Sequence, residues 1–147
     1  ADPIFIGGHW TPQLIERAGG IHPLNPTTPI DNAGGAVGPI GQTQRTAGKS
    51  IQVPFDILAA CRPEAIIIAP CGRTLAQART DAFILTQQPG WHDLPAVRNG
   101  RVALVDGNAY FNRPGPRLVD TLELLAHLLH PDLCAAPVGG CWQAVGA

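Results

Sequence analysis

Apolar positions along the chain switch between helical spacing and short continuous runs, and glycine or proline stands at nearly every changeover. Pro3 to Ile6 carries Ile4-Phe5-Ile6 and predicts a short strand running into Gly7-Gly8-His9-Trp10. Leu14, Ile15 and Ala18 then form a stripe that predicts a helix, with Thr11 as its cap, Pro12 at its first position and Gly19-Gly20 as its stop. From Ile21 to Ser50 there is no periodicity. His22 to Pro29 is proline-rich, and Asn32 to Gly48 holds five glycines with scarcely any large apolar side chain. A stretch of about 30 such residues is uncommon inside a compact domain. It is expected to be an extended or mobile loop, or an insertion.

Regular structure is expected to resume at Pro54. Phe55, Ile57 and Leu58 predict a brief helix over Pro54 to Cys61, stopped before Pro63. Ala65 to Ala69 is a continuous apolar run, the pattern of a strand covered on both faces. After the Pro70-Cys71-Gly72 turn, Leu75, Ala78, Ala82 and Leu85 give helical spacing over Thr74 to Gln87, ended by Pro89-Gly90. Trp91 to Val97 predicts a helical turn, and Asn99-Gly100 introduces a strand over Arg101 to Val105. Asp106 to Pro114 is a loop. Leu118, Leu122, Leu125 and Leu129 mark the clearest helix, opened by Gly115-Pro116 and closed by His130-Pro131. The Ala/Gly/Pro-rich segment after Leu133 is expected to fray.

This alternation predicts an α/β fold: a three-layer α/β/α domain over residues 1–133 with a short, mainly parallel central sheet, followed by a tail over 134–147. In such sheets ligands sit beyond the carboxyl ends of the strands. That rule nominates three loops: Gly7 to Trp10, Pro70 to Arg73, and Asp106 to Arg113.

Composition narrows the class without naming a function. The 147 residues include 17 Gly and 15 Pro, 45% are hydrophobic and 14% charged, so the chain is expected to fold as one soluble domain rather than remain disordered. A formal charge of −1 leaves no electrostatic footprint for nucleic acid or anionic lipid. The longest apolar run is five residues, far short of a membrane span. Nine of the ten basic residues are Arg, and Ser50 is the only serine, a bias that points to GC-rich coding. Cys61, Cys71, Cys134 and Cys141 have no C-x-x-C spacing, which disfavours structural zinc. Cys134 and Cys141 read equally as a disulfide or as two free thiols. No signal peptide is visible, and the abrupt start suggests a fragment or foreign residues at Ala1 to Pro3.

Several groups carry chemistry. Gly7 and Gly8 let the backbone turn sharply before His9 and Trp10, and the indole offers a flat face with one N–H. The competing reading is a Trp packed as a lid with a capping His. Tyr110, Asn112 and Arg113 exceed what a tight turn requires: Tyr110 offers a stacking surface and Arg113 a fork for a carboxylate or phosphate. Arg113 equally suits bracing of its own loop. Cys71 is a candidate ligand or nucleophile, against the commoner role of a small buried hydrophobe. His127 and His130 share a helix face, which suits either a two-ligand metal site or the helix dipole; the latter is preferred, and no metal site is expected. Nucleotide, zinc-protease and hydrolase motifs are absent.

Four blocks stand in order: residues 7–20 (GGHWTPQLIERAGG), 60–72 (ACRPEAIIIAPCG), 89–102 (PGWHDLPAVRNGRV) and 106–117 (DGNAYFNRPGPR). Together they resemble the C-terminal lobe of the iron-siderophore/cobalamin class of ABC-transporter substrate-binding proteins, in the cobalamin-binding-like subgroup. The resemblance implies one lobe of a two-lobed protein, partnered by its N-terminal lobe and by an ABC permease, in a periplasmic or other extracytoplasmic place. It implies a non-catalytic role without intrinsic cofactor. Cobalamin or a ferric siderophore would be held by His9, Trp10, Cys71, Tyr110, Asn112 and Arg113, and Asp56 would dock on the permease. Two alternatives stand beside it: a metal- or thiol-dependent enzyme using His9, Cys71 and Asp106, and a relative without transport that acts as a scaffold or sequestering protein.

Overall fold

The structure is a computed structural model, and it describes residues 4–30, 45–112, 115–137 and 142–145. The elements are β1 (Ile4–Ile6), α1 (Thr11–Arg17), β2 (Thr28–Pro29), β3 (Arg45–Thr46), β4 (Ile51–Val53), α2 (Phe55–Ala60), β5 (Ile66–Ile68), α3 (Leu75–Thr86), a 3₁₀ turn (Trp91–Asp93), α4 (Pro95–Arg98), β6 (Val102–Val105), α5 (Leu118–Leu129) and β7 (Trp142–Ala144). The content is mixed α/β.

The main sheet has three strands in the order β5-β6-β7. β5 and β6 pair in parallel, with Ile66 opposite Val102 and Ile68 opposite Leu104. β7 returns antiparallel to β6, with Ala103 opposite Ala144 and Val105 opposite Trp142. Side chains of a strand alternate between faces, and here they divide the core in two. Ile68, Val102 and Leu104 pack with Ala78 and Ala82 of α3 and with Trp91, Leu94 and Val97. Val105 packs with Leu14 and Ala18 of α1, Phe111, and Leu124 and Leu125 of α5, while Ile67, Ala69 and Trp142 lean on that second cluster. Leu104, Leu124 and Leu125 are almost wholly withdrawn from water, and full burial of such a side chain stabilises by about 1.5–3 kcal/mol.

Local signals explain the helix ends. Thr74 accepts from the Gln77 amide while the Gln77 side chain accepts from the Thr74 amide, the reciprocal cap that T-x-x-Q encodes. The last carbonyls of α5 are met by Arg101, whose Nη2 donates to Leu129 O at 2.7 Å and Leu128 O at 3.2 Å. His130 Nε2 donates to Ala18 O at 3.0 Å, tying the end of α5 to the end of α1.

Four expectations are corrected. β1 does not enter the main sheet; it forms a separate antiparallel ribbon with β4, Phe5 opposite Gln52. The main sheet is therefore half parallel and half antiparallel rather than mainly parallel, because its third strand comes from the tail expected to fray. Trp142 supplies the large apolar side chain that holds that strand down. α1 begins at Thr11 with Trp10 in the cap position and no side-chain cap bond, so Thr11 is inside the helix rather than its cap.

The fourth correction concerns residues 21–50, whose described parts are not structureless. Thr28 and Pro29 pair with Thr46 and Arg45. Buried Asn25 donates from Nδ2 to Gly7 O at 3.1 Å and Lys49 O at 3.0 Å. Buried Thr27 donates its amide and hydroxyl to the Glu16 carboxylate, and Arg45 pairs with Glu16 at 3.3 Å while its Nη2 donates to Thr27 O at 2.8 Å. Polar anchors of this kind leave no hydrophobic period in sequence. Residues 31–44, within the glycine-rich run, lie outside the described residues.

Candidate functional site

The loops after β5 and β6 lie at the carboxyl ends of the parallel pair, and the loop after β1 meets them there. Trp10 Nε1 donates to Phe111 O at 2.7 Å across 101 residues of sequence. Asn112 Nδ2 donates to Gly107 O at 2.8 Å and to Ala69 O at 3.3 Å, and the Gly107 amide donates to Arg73 O at 3.1 Å. Gly107 is pressed so closely on the neighbouring loop that an added Cβ would lie 1.9 Å from Pro70 O. The three nominated loops therefore form one junction.

Within it, His9 (φ 57°) and Phe111 (φ 64°) occupy the left-handed region, where a residue with a side chain is held only by its surroundings, at a cost of about 1–3 kcal/mol. His9 is held by its amide, which donates to Gly48 O at 2.7 Å. Its side chain is exposed, with the ring 5.8 Å from that of Trp10. Phe111 is buried in the second core cluster beside half-buried Tyr110.

The nominated residues divide by what they already do. Trp10 and Asn112 spend their N–H groups on bracing the junction. Asp106 Oδ1 accepts from the amides of Asn108 at 2.8 Å and Ala109 at 3.1 Å, so it shapes its own turn. His9 and Cys71 are exposed, and Tyr110 presents part of its surface. Arg113 lies outside the described residues, as does Cys141. Asp56 is exposed in the first turn of α2, away from this junction in sequence, and Oδ1 accepts from the Ile57 amide at 2.9 Å. Among the described residues no three His, Cys, Asp or Glu side chains are grouped to hold a metal ion, and no helix is long and apolar enough to cross a membrane.

The support beneath the Gly7–His9 turn was not legible in the sequence. Burial raises the Glu16 carboxyl, but the Thr27 hydroxyl and amide and the Arg45 guanidinium outweigh it and hold the group below its ordinary value. Burial also lowers the His22 imidazole, against its bond to Gly7 and the Glu16 charge, which favour the proton. Asn25, which bonds Gly7 directly, carried no signal beyond its place in a proline-rich run.

Comparison with known proteins corrects the resemblance. No family model matches the chain, and no solved structure matches it. The chain is similar in part to Peroxidase 71 of Arabidopsis thaliana, 38% identical over 80 residues, covering 51% of this chain and 24% of that protein. The chain thus spans about a quarter of that relative's length. Nothing found relates it to ABC-transporter substrate-binding proteins, so that assignment is withdrawn. The blocks that suggested it are strand–turn–helix segments and glycine turns, which local stereochemistry rewards in many unrelated α/β chains. The N-terminal lobe, the permease, docking through Asp56 and the extracytoplasmic location rested on that resemblance alone and lose their support. The partial likeness is to a protein named as a peroxidase.

Proposed function

We propose that the chain is a three-layer α/β/α domain that binds a small molecule on the surface where the loops after β1, β5 and β6 meet. One observation carries this reading: two residues with side chains, His9 and Phe111, are held in left-handed backbone on two loops locked together by the Trp10–Phe111 bond. Strain of this kind persists where surroundings over-determine it, and it concentrates at binding sites. The location agrees with the rule for open α/β sheets. His9 and Tyr110 are the groups offered to a ligand: an imidazole that donates or accepts, and an aromatic face suited to a flat molecule.

The test is a titration of the chain with flat and chelate probes, cyanocobalamin and a ferric siderophore among them, followed by calorimetry. Saturable binding that His9→Ala and Tyr110→Ala each weaken by tenfold or more supports the reading. Binding of none of the probes, or binding indifferent to both substitutions, sinks it.

A second reading has the partial likeness to Peroxidase 71 in its favour: an enzyme using exposed Cys71 with His9. Peroxide-dependent oxidation of a phenolic dye that is abolished by Cys71→Ala and by iodoacetamide would select this reading over the first.

A further inference from the structure

At the opposite end of the sheet, beside the last turn of α5, described residues line a pocket of about 160 Å³ that is open to solvent on one side. Residue size creates it. Ala65, Ala103 and Ala144 present methyl groups where a core usually places Leu or Ile, and α5 bridges above them. The lining is mainly carbon, with His127 and Trp142 as its two ring walls, 5.4 Å apart and inclined at 58°.

Two polar side chains line the pocket, Arg101 and His127, and the second offers an acceptor. His127 Nδ1 lies 2.8 Å from Cys134 O. A carbonyl oxygen carries no proton, so Nδ1 must donate, and in the neutral ring Nε2 is left as an acceptor. Nε2 has no hydrogen-bond partner among the described residues. Arg101 also lines the pocket, but its Nη2 is turned to the Leu128 and Leu129 carbonyls at the C-terminal end of α5. A wholly apolar cavity of about 150 Å³ stays dry and takes up benzene. Here a similar volume is open to solvent on one side and His127 supplies an acceptor at its wall, which a guest bearing one donor pairs with in place of water. We propose that this cavity binds a single-ring phenol, with its ring against Trp142 and its hydroxyl donating to His127 Nε2. The site is separate from the strand-end loop junction and does not depend on what binds there.

Phenol and toluene have the same number of heavy atoms and differ in that hydroxyl. Each is titrated into the full chain while the indole N–H resonances of the three tryptophans are followed by NMR, Trp142→Phe identifying the Trp142 signal. The expected result is a saturable shift of Trp142 alone, with phenol binding at least about fivefold more tightly than toluene, the factor for one added hydrogen bond. His127→Leu is expected to remove that preference. Ala144→Leu, on the exposed edge strand, is expected to fill the cavity and abolish both titrations. No saturable shift at Trp142 up to the solubility limit overturns the site, as does a shift centred on Trp10. Toluene binding as tightly as phenol in the unaltered chain overturns the role of His127, even if the His127 variant does not fold.

Discussion

Replacing Gly107 by Ala tests whether the strand-end loops meet as described. The added Cβ would lie 1.9 Å from Pro70 O and 2.8 Å from both Pro70 C and Asn112 Nδ2. Contacts below 3.0 Å to backbone cannot be relieved by turning a side chain, so the two loops must separate by an ångström or more. Three bonds cross or brace that gap: Gly107 N to Arg73 O, and Asn112 Nδ2 to Gly107 O and to Ala69 O. At about 1 kcal/mol each, their loss comes to about 3 kcal/mol, the upper end of what overpacking costs. For a chain of this size that lowers Tm by about 6–12 °C. Gly72→Ala is the control, since Gly72 stands in open space in the same loop at φ 72°. It carries only the left-handed backbone penalty of about 1–2 kcal/mol. Urea unfolding followed by circular dichroism measures both. If Gly107→Ala costs no more than Gly72→Ala, the loops are not in contact and the junction is wrong.

Other expectations follow from the same contacts. Trp10→Phe keeps a ring in the second core cluster but strands Phe111 O, and should cost about 1–3 kcal/mol in urea unfolding; an unchanged midpoint refutes the bond. Leu124→Ala should cost about 2–5 kcal/mol, whereas Leu133→Ala, 85% exposed, should be neutral within about 0.5 kcal/mol. Glu16 has a lowered folded-state value, so its contribution is complete above the ordinary 4.5 and is lost as pH falls through the lower folded value; Glu16→Gln should flatten that part of the stability–pH curve, and parallel curves would count against the Thr27–Arg45 clasp. His22 is also lowered, so the unfolded chain takes up its proton first. Stability should therefore fall as pH drops below the ordinary 6.5, and His22→Gln should remove the decline.

The legible elements were those whose period is local. The stripe of Leu118, Leu122, Leu125 and Leu129 gave α5, and Ala65 to Ala69 gave β5, because burial against a neighbour demands that spacing whatever the neighbour is. The three loops of the candidate site were legible for the same reason, since glycine and proline punctuate strand ends. Their use was not. Whether the Trp10 indole faces a ligand or the Phe111 carbonyl depends on a residue 101 positions away, and no local rule reaches that far. The ordered motif blocks misled because short turn chemistry repeats across unrelated proteins, so their order suggested kinship that comparison did not uphold.

By itself the sequence determined β1, α1, α2, β5, α3, β6 and α5, the absence of a membrane-length apolar run and the positions where the chain turns, all consequences of side-chain size and backbone stereochemistry over a few residues. Only the tertiary structure decided that β1 leaves the main sheet for β4, that the tail returns as β7 against β6, and that Asn25, Thr27 and Glu16 anchor a segment without hydrophobic pattern. Pairing and polar anchoring depend on which distant backbone groups need partners once the core has closed, and that demand exists only in three dimensions.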